Sequence, residues 1–401
     1  MKRFGVISIF LAVLSMGVIS VGLAQDTLPI GVITSITGRY AEFGEQHQAG
    51  FAVALEEVNA NGGVNGQQLE LVLRDDTSDV NAALSAAEGL TREVPLVLGA
   101  YSSSITNPLA QFFSRQGFPF LVYTSSEDAI TTPGSEWTFR LNQPASAYAT
   151  VLFDIFDQLN SAQDAGLKTV ALIHGNGPFE SSVADAVVRL SEERGFELTE
   201  RESYDRGVTD FRPILNRFAS DAPDIVFMVS YAEDSVGLLR QASEVGLNPK
   251  LFAGGAAGFA LPNFIEGAGA AANYVVTATT WTKDAAYPGA GNLYERLKEQ
   301  LGGKEPSYHA AQAYAALITA ADVLSRAEDT GPEAVQAALD ATDIAETAYG
   351  PVKFDDYDGF QNQNPLSMLA QQVQDGAFVT VFPKDAAQAD LAFPTPAWNE
   401  R

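Results

Sequence analysis

The sequence contains no cysteine and only three histidines among its 401 residues. Without cysteine the chain can form no disulfide, has no thiolate nucleophile and cannot carry a lipid on a cysteine. His47, His174 and His309 lie far apart, and none stands at a spacing typical of metal ligands. We therefore expect no metal site, and we expect the histidines to be structural or cleft-lining residues.

Basic residues are scarce as well. The chain has 24 lysines and arginines against 50 acidic residues, which gives a formal net charge of −26. A surface with this charge repels nucleic acids and anionic lipids. We therefore expect no nucleic-acid partner.

Motifs of common enzyme classes are also missing. The sequence has no Gly-x-Ser-x-Gly elbow of a hydrolase and no Gly-Lys-Ser/Thr phosphate loop. The stretch "HGNGPFE" has the first two glycines of a dinucleotide-binding motif, but Glu180 stands in place of the third. We therefore expect no catalytic residue and no cofactor.

A long apolar run occurs at the start of the chain, in "MKRFGVISIFLAVLSMGVISVGLAQ". Two basic residues precede the run, and small residues at positions 22 and 24 have the spacing that a signal peptidase accepts. A membrane anchor is the alternative, but the chain turns polar at Gln25 and no basic flank follows. We predict a signal peptide over residues 1–24, cleaved after Ala24, and a soluble periplasmic protein that is not a lipoprotein.

The rest of the chain alternates short apolar runs with amphipathic ones. "PIGVITS" has the pattern of a buried strand, and in the next segment Phe51, Ala54, Leu55 and Val58 recur at helical spacing. Further strand and helix patterns alternate to about residue 124, and the series restarts after "FRLNQPAS". The length and this restart predict an α/β protein with two doubly wound parallel sheets. The pattern alone does not assign "YHAAQAYAALITAADVLSRA" or "YGPVKFDDYDGFQNQNP" to either sheet.

Serines follow two neighbouring strand patterns, in "GAYSSSITNP" and "VYTSSED". Thr106 or Asn107 could cap the helix that follows the first stretch, and Pro108 suits a first helical turn. Ligands of doubly wound sheets bind beyond the carboxyl ends of the strands, where free backbone N–H groups of a helix and serine hydroxyls can hold an anion. Serines that serve only as turn and cap residues are the alternative.

The order of several motifs resembles that of one family, the periplasmic solute-binding proteins of branched-chain amino-acid ABC importers. The motifs that carry this resemblance are "GVITSITGRYAEFGEQ", "NANGGVNGQQLELVLRDDTSD", "GAYSSSITNP", "VYTSSE", "FRLNQP", "VALIHGNGPF", "DFRPILNRF", "PDIVFMVSYAEDSVGLLRQASEVGL" and "YGPVKFD". The resemblance implies two Rossmann-like lobes, joined by three hinge strands, that close on a small molecule. It places residues 26–143 and 280–364 in the N-terminal lobe, and residues 144–279 and 365–401 in the other.

The resemblance also implies the site. It assigns the ligand's carboxylate to Ser103, with Tyr101 and Ser102 beside it, and hydroxyl and backbone contacts to the next loop. It assigns an aromatic wall to three rings that face an apolar side chain. The residues of that loop and that wall are, in order, Thr124, Ser125, Ser126, Phe43, Phe179 and Tyr231.

Two departures from the family pattern concern the ligand's ammonium group. The amino-acid binders have a glutamate where this chain has Ala256, and an aspartate near the first hinge is Ala145 here. Another acidic residue could replace them, although solvated loop acids are the alternative. Arg39 could meet a second acidic or polar group, or it could be an exposed residue at the cleft rim. The possible replacement acids are Asp234, Glu233, Glu127 and Asp128.

The sequence therefore predicts a monomeric binding protein that captures a small carboxylate-bearing solute and delivers it to an inner-membrane ABC permease. The family default for the ligand is a branched-chain or related amino acid. The change at Ala256 keeps open an aromatic or aliphatic acid, or an amide or urea. A ligand-sensing module for a receptor or regulator is the alternative from another class.

Overall fold

The computed structural model describes residues 27–134 and 136–401. The predicted signal peptide lies outside these residues. The strands are β1 (Thr27–Thr34), β2 (Gln68–Asp75), β3 (Val97–Gly99), β4 (Phe120–Val122), β5 (Thr138–Arg140), β6 (Thr169–Gly175), β7 (Glu197–Tyr204), β8 (Ile225–Val229), β9 (Leu251–Gly254), β10 (Val276–Thr279), β11 (Asp343–Ile344), β12 (Val352–Lys353), β13 (Asp355–Tyr357), β14 (Phe360–Gln363), β15 (Leu369–Gln374) and β16 (Ala377–Phe382). The α-helices are α1 (Ala41–Ala60), α2 (Val80–Leu90), α3 (Ser103–Gln116), α4 (Ala145–Gln163), α5 (Pro178–Arg194), α6 (Arg212–Asp221), α7 (Ala232–Glu244), α8 (Pro262–Ala268), α9 (Ala290–Gln300), α10 (Tyr308–Arg326) and α11 (Pro332–Asp340).

The strands form two seven-stranded sheets of the same design. The first has the order β2-β1-β3-β4-β5-β14-β13 and the second the order β7-β6-β8-β9-β10-β15-β16. Six consecutive strands, from β2 to β14, are parallel in the first sheet, and five, from β7 to β10, are parallel in the second. Each sheet ends in an antiparallel hairpin, β13–β14 or β15–β16. The prediction of two doubly wound, mostly parallel sheets is confirmed.

Each sheet and the helices packed on it form a lobe. The first lobe contains the first sheet with α1–α3 and α9–α11, and the second lobe contains the second sheet with α4–α8. The chain passes between the sheets three times, after β5, after β10 and after β14. The division of the chain at residues 143, 279 and 364 stays a prediction.

The central strands of both sheets are buried on both faces. Every residue of β3, β4 and β8 is buried, because helices cover the two sides of each sheet. A parallel sheet covered in this way needs continuous apolar strands, and runs such as "VPLVLGA" and "DIVFMVSY" supply them. Polar residues that follow these strands therefore emerge at the carboxyl edge of an otherwise apolar sheet.

Helix α10, which the sequence pattern left unassigned, packs on α1 in the first lobe. A Cβ at Gly50 would come within 2.0 Å of the Ala310 carbonyl oxygen, so the absence of a side chain there permits the close approach. The contact joins the middle of α1 to the first turn of α10. The segment from Tyr349 to Pro365 also belongs to the first lobe, where it supplies the β13–β14 hairpin.

The start of α3 differs from the prediction. The helix begins at Ser103, with Ser102 as its extended N-cap residue, whereas the sequence suggested a start near Thr106. Pro108 lies inside the helix, and Thr106 donates its hydroxyl hydrogen to the Ser102 carbonyl oxygen at 3.0 Å. The caps proposed at Thr106 and Asn107 are therefore wrong. The serines themselves form the first turn, whose backbone N–H groups have no partner within the helix.

Candidate functional site

The serines that follow β3 and β4 meet at the carboxyl edge of the first sheet. The hydroxyl oxygens of Ser103 and Ser125 are 2.9 Å apart, and the Glu127 backbone N–H donates to Ser103 Oγ at 3.2 Å. The two strands are parallel neighbours, with Gly99 paired to Val122, so the loops that follow them are adjacent. The sequence expectation that two neighbouring strands bring hydroxyl residues to one place is confirmed.

Thr124 and Ser126 extend this group of hydroxyls toward the hinge. The Asn142 side-chain amide donates to the Thr124 carbonyl oxygen at 2.5 Å and to Ser126 Oγ at 2.7 Å. Asn142 also accepts a hydrogen bond of 3.0 Å from the Tyr148 hydroxyl. The buried hydroxyl of Thr124 has no hydrogen-bond partner among the described residues. That hydroxyl is therefore free to bind a ligand atom.

Aromatic rings from both lobes meet opposite the hydroxyls. Phe43 stacks on Tyr101 in the first lobe, with ring centroids 4.1 Å apart. The ring centroid of Tyr231 in the second lobe lies 5.9 Å from that of Tyr101 and 6.0 Å from that of Phe179. The Tyr231 ring also lies against Tyr40 of the first lobe, with ring centroids 5.0 Å apart. The predicted aromatic residues thus form one cluster that spans the cleft.

A small cavity lies between the hydroxyl group and the rings. Its volume is about 20 Å³, which is room for about one water molecule. Seven of the ten residues predicted as ligand-binding line it, as does His309, which was a possible site residue. The full lining is Tyr101, Ser103, Thr124, Ser125, Ser126, Phe179, Tyr231, Ala257, Tyr308 and His309.

Three other predicted ligand residues lie behind this lining. Phe43 is buried beneath Tyr101, and the Ser102 hydroxyl bonds to Ser104 at 2.8 Å. Ala256 is fully buried and does not line the cavity, whereas its neighbour Ala257 does. Both alanines have positive φ, 63° and 48°, and they form a tight turn after β9. The side of that turn facing the cavity carries no charge.

Tyr308 is a cavity residue that the sequence analysis missed. It is the first residue of α10 and lines the cavity together with Ala257 of the second lobe. It also lines a larger cavity of about 450 Å³ that is bordered by Trp281, Tyr294 and Phe378. We place the candidate site in the smaller cavity because the hydroxyls and the rings from both lobes converge there. The position of Tyr308 beside His309 was the available sequence signal.

All three histidines are buried, and two of them, His47 and His309, are close to the site. His309 accepts or donates at Nδ1 to the Ser307 hydroxyl, and His47 does so to the Thr34 hydroxyl at 2.8 Å. Burial lowers the pKa of His47 to about 3 and the pKa of His309 well below its ordinary value. Within residues 27–134 and 136–401, no three side chains of the types that bind metals lie close enough to hold an ion.

The charged candidates lie at the rim of the cleft. Arg39 is exposed, and its guanidinium carbon lies 5.4 Å from the centre of the Tyr40 ring. Asp234 is half-buried and accepts a hydrogen bond of 3.5 Å from the Tyr204 hydroxyl. Neither residue lines the small cavity. The structure thus brings the predicted serines and rings together but leaves both charged candidates outside them.

Comparison with known proteins agrees with this architecture of two lobes and a cleft. Residues 27–377, which are most of the chain, match the sequence profile of the family described as periplasmic binding protein.

The chain belongs to the periplasmic binding protein family.

Curated relatives share this assignment across nearly their full length. The Leu/Ile/Val-binding protein homolog 7 of Brucella suis biovar 1 (strain 1330) is 29% identical over 384 residues, which cover 92% of this chain and 95% of that protein. The Leu/Ile/Val-binding protein homolog 8 of Brucella melitensis biotype 1 is 29% identical over 397 residues, covering 95% of this chain and 96% of that protein. The resemblance found in the sequence is therefore confirmed.

Solved structures of periplasmic binding proteins have the same fold. The branched-chain amino acid transporter substrate binding protein LivJ of Streptococcus pneumoniae, in complex with isoleucine, is similar with a TM-score of 0.78 and 21% identity, covering 92% of this chain and all of that chain. A solute binding protein from R. palustris, in complex with benzoate, is similar with a TM-score of 0.74 and 17% identity, covering 93% and 97%. No helix in the described part of this chain is long and apolar enough to span a bilayer.

Proposed function

We propose that this periplasmic binding protein captures a small carboxylate-bearing solute between its lobes and presents it to an inner-membrane ABC permease. The main support for this proposal is the cavity in which Ser103, Thr124 and Ser125 face Phe179 and Tyr231 of the other lobe. Hydroxyls and helix N–H groups bind an anion from one side, and the rings enclose an apolar group from the other. A branched-chain or related amino acid is the first candidate ligand.

The binding is non-enzymatic in this proposal. The cavity hydroxyl of Ser103 pairs with another serine, and the nearby histidines are buried and neutral. A serine nucleophile needs an adjacent base with a matched pKa. The protein acts as a monomer in the periplasm after removal of residues 1–24, and a role as a ligand sensor is the alternative use of the same closure.

A second candidate ligand is an aromatic or aliphatic acid without an amino group. The observation that favours it is the turn at Ala256 and Ala257, which faces the cavity with a methyl group and not with a carboxylate. A neutral amide or urea fits the same uncharged turn. The solved relative from R. palustris holds benzoate, a carboxylate without an amine. The first candidate ligand carries a cationic amino group, whereas the ligands of this second group do not.

A thermal-shift screen of the processed protein tests the proposal. Leucine, isoleucine, valine, benzoate, 4-methylpentanoate and urea are added separately, and a ligand at 100 times its Kd should stabilise the fold by about 2.7 kcal/mol. Small-angle scattering should then show a smaller radius of gyration with the positive ligand, because only closed lobes contact it from both sides. Absence of any shift with all carboxylates would contradict the proposed function.

A further inference from the structure

A buried carboxylate lies beside the candidate site and was not among the expected ligand residues. Glu180 is in the first turn of α5, directly after the cavity residue Phe179. Its side chain is only 2% exposed, and Oε2 has no hydrogen-bond partner among the described residues. A buried carboxylate oxygen without a partner costs free energy, so it calls for a compensating group.

Glu180 lies close to the carboxyl end of β6. A Cβ built on Gly175 would come within 2.8 Å of Oε1, and one built on Gly177 would come within 2.4 Å of Oε2. The two glycines therefore make the room that the carboxylate occupies. The charge of Glu180 raises the pKa of Tyr231, which lines the cavity, more than any other nearby charge does. It also raises the pKa of Tyr101 in the first lobe. Glu180 does not itself line the cavity, but it directly follows Phe179, which does.

The four acidic residues considered from the sequence are in a different situation. Glu233 is exposed, Asp234 accepts from the Tyr204 hydroxyl, and Asp128 accepts from the Ser146 backbone N–H at 3.1 Å. Glu127 accepts from the Asn107 amide. Each of them is therefore solvated or has a protein partner. Glu180 differs because one of its oxygens is buried and unpaired.

The groups around Glu180 come from several elements. Burial raises the pKa of Glu180 to about 7, while nearby Arg206 and Arg39 lower it and Asp234 raises it. Tyr204, Tyr231 and Tyr101 complete the titratable surroundings. Neither arginine forms a hydrogen bond with Oε2. The carboxyl group can therefore change its ionisation near neutral pH when a cation comes close.

We propose that Glu180 recognises the cationic amino group of the ligand, and that it takes the place of the carboxylate missing from the turn at Ala256 and Ala257. This inference rests on the proposed function, because it needs a solute whose carboxylate is held by the serines. It predicts selection for amino acids over acids of the same shape. The ammonium donates a hydrogen bond to Oε2 and keeps Glu180 ionised.

The proposal has a pH signature. An ammonium ion binds the ionised carboxylate, so leucine binding at a pH below 7 must release a proton from Glu180. With a pKa of about 7, the affinity for leucine should be roughly 30-fold weaker at pH 5.5 than at pH 8. The affinity for 4-methylpentanoate, which has the carbon skeleton of leucine without the amine, should stay flat or rise over the same range.

Calorimetric titration of three proteins tests the assignment. Leucine and 4-methylpentanoate are titrated at pH 8 into the wild type, into Glu180→Gln and into the matched control Asp185→Asn, which changes an exposed acid of the same helix that does not line the cavity. We expect Glu180→Gln to weaken leucine binding roughly 10- to 150-fold, which is the effect of losing a hydrogen bond between charged groups. Binding of 4-methylpentanoate should change less than about threefold. Asp185→Asn should bind both compounds nearly as the wild type does.

The possible outcomes separate the two proposals. If the wild type binds neither compound, the proposed function fails for this ligand class and the inference fails with it. If the wild type binds 4-methylpentanoate but not leucine, or if Glu180→Gln weakens both equally, the function stands and the role of Glu180 is refuted. If Glu180→Gln does not fold, the wild-type pH profile decides, and a flat affinity for leucine between pH 5.5 and pH 8 overturns the proposal.

Discussion

The replacement of Ser103 by alanine would test the serine group, because the structure separates its effect on folding from its effect on binding. The Ser103 hydroxyl contacts Ser125 Oγ at 2.9 Å and accepts the Glu127 N–H at 3.2 Å. A hydrogen bond between neutral groups contributes about 0.5–1.5 kcal/mol to stability. Loss of both should lower the free energy of unfolding by about 1–3 kcal/mol, and the melting temperature should fall by several degrees.

The effect on binding is measured separately from the effect on folding and should be of similar size. If Ser103 donates to the ligand's carboxylate, its loss removes a hydrogen bond to a charged group, about 1.5–3 kcal/mol. The dissociation constant should therefore rise roughly 10- to 150-fold. Isothermal titration with leucine or 4-methylpentanoate measures this change, and denaturant unfolding without ligand measures the stability. A Ser103→Ala and Ser125→Ala double-mutant cycle should give a coupling of about 0.5–1.5 kcal/mol in stability.

Ser104→Ala is the matched control for this prediction. Ser104 is the next residue of the same helical turn, is partly exposed, and bonds only to Ser102 among the contacts of its hydroxyl described here. Its replacement should leave the affinity within about twofold. Equal affinities for Ser103→Ala, Ser104→Ala and the wild type would refute the assignment of the ligand's carboxylate to Ser103.

Two further predictions concern Tyr308 and His47. Tyr308 and Ala257 line the cavity from the two lobes. Tyr308→Phe removes a polar group from this contact between the lobes, so ligand dissociation should become roughly 2- to 12-fold faster in stopped flow. Tyr314→Phe on the same helix, which loses a bond to Glu57 within the first lobe, should not change it. His47 has a folded-state pKa of about 3. Below pH 6.5 the folded protein therefore binds fewer protons than the unfolded chain. Because of this difference, the His47 contribution to the free energy of unfolding should fall as the pH drops from 6.5 toward 3. His47→Gln should make the slope of unfolding free energy against pH smaller, and an unchanged slope would contradict the assignment.

Most of the fold could be predicted from the sequence because the same alternation of strand and helix patterns is repeated along the chain. Each buried strand is a short apolar run, each helix has an apolar stripe, and their alternation leaves few topologies other than a doubly wound sheet. The start of α3 was predicted one turn too late because Pro108 suits a first turn. The helix instead tolerates Pro108 in its second turn, and the Thr106 hydroxyl bonds the Ser102 carbonyl oxygen. The path of the chain after β3 therefore outweighed the preference of Pro108 for a first helical turn.

The site was predictable where residues follow neighbouring strands and not where partners come from distant segments. Ser103 and Ser125 lie in loops whose adjacency follows from parallel strand order. Tyr308 meets Ala257 only because α10 packs on α1 and the lobes face each other. Glu180 has the sequence context of an ordinary first-turn acid, which favours a helix N-terminus and solvent. Its burial, and the lack of a partner for Oε2, depend on contacts that no local pattern encodes.

The narrowness of the cavity determines which contacts can provide specificity. A volume of about 20 Å³ is too small for an amino acid, so the rings of Phe179 and Tyr231 in the second lobe must move away from Tyr101 before a ligand enters. Binding then replaces contacts between rings by contacts between rings and ligand. The net gain in buried apolar surface is the area buried against the ligand minus the area that the rings had buried against each other. The aromatic wall therefore gives a general preference for apolar solutes. Discrimination between ligands of the same shape must come from polar groups that gain a partner on binding, and the Thr124 hydroxyl and Glu180 Oε2 are two such groups.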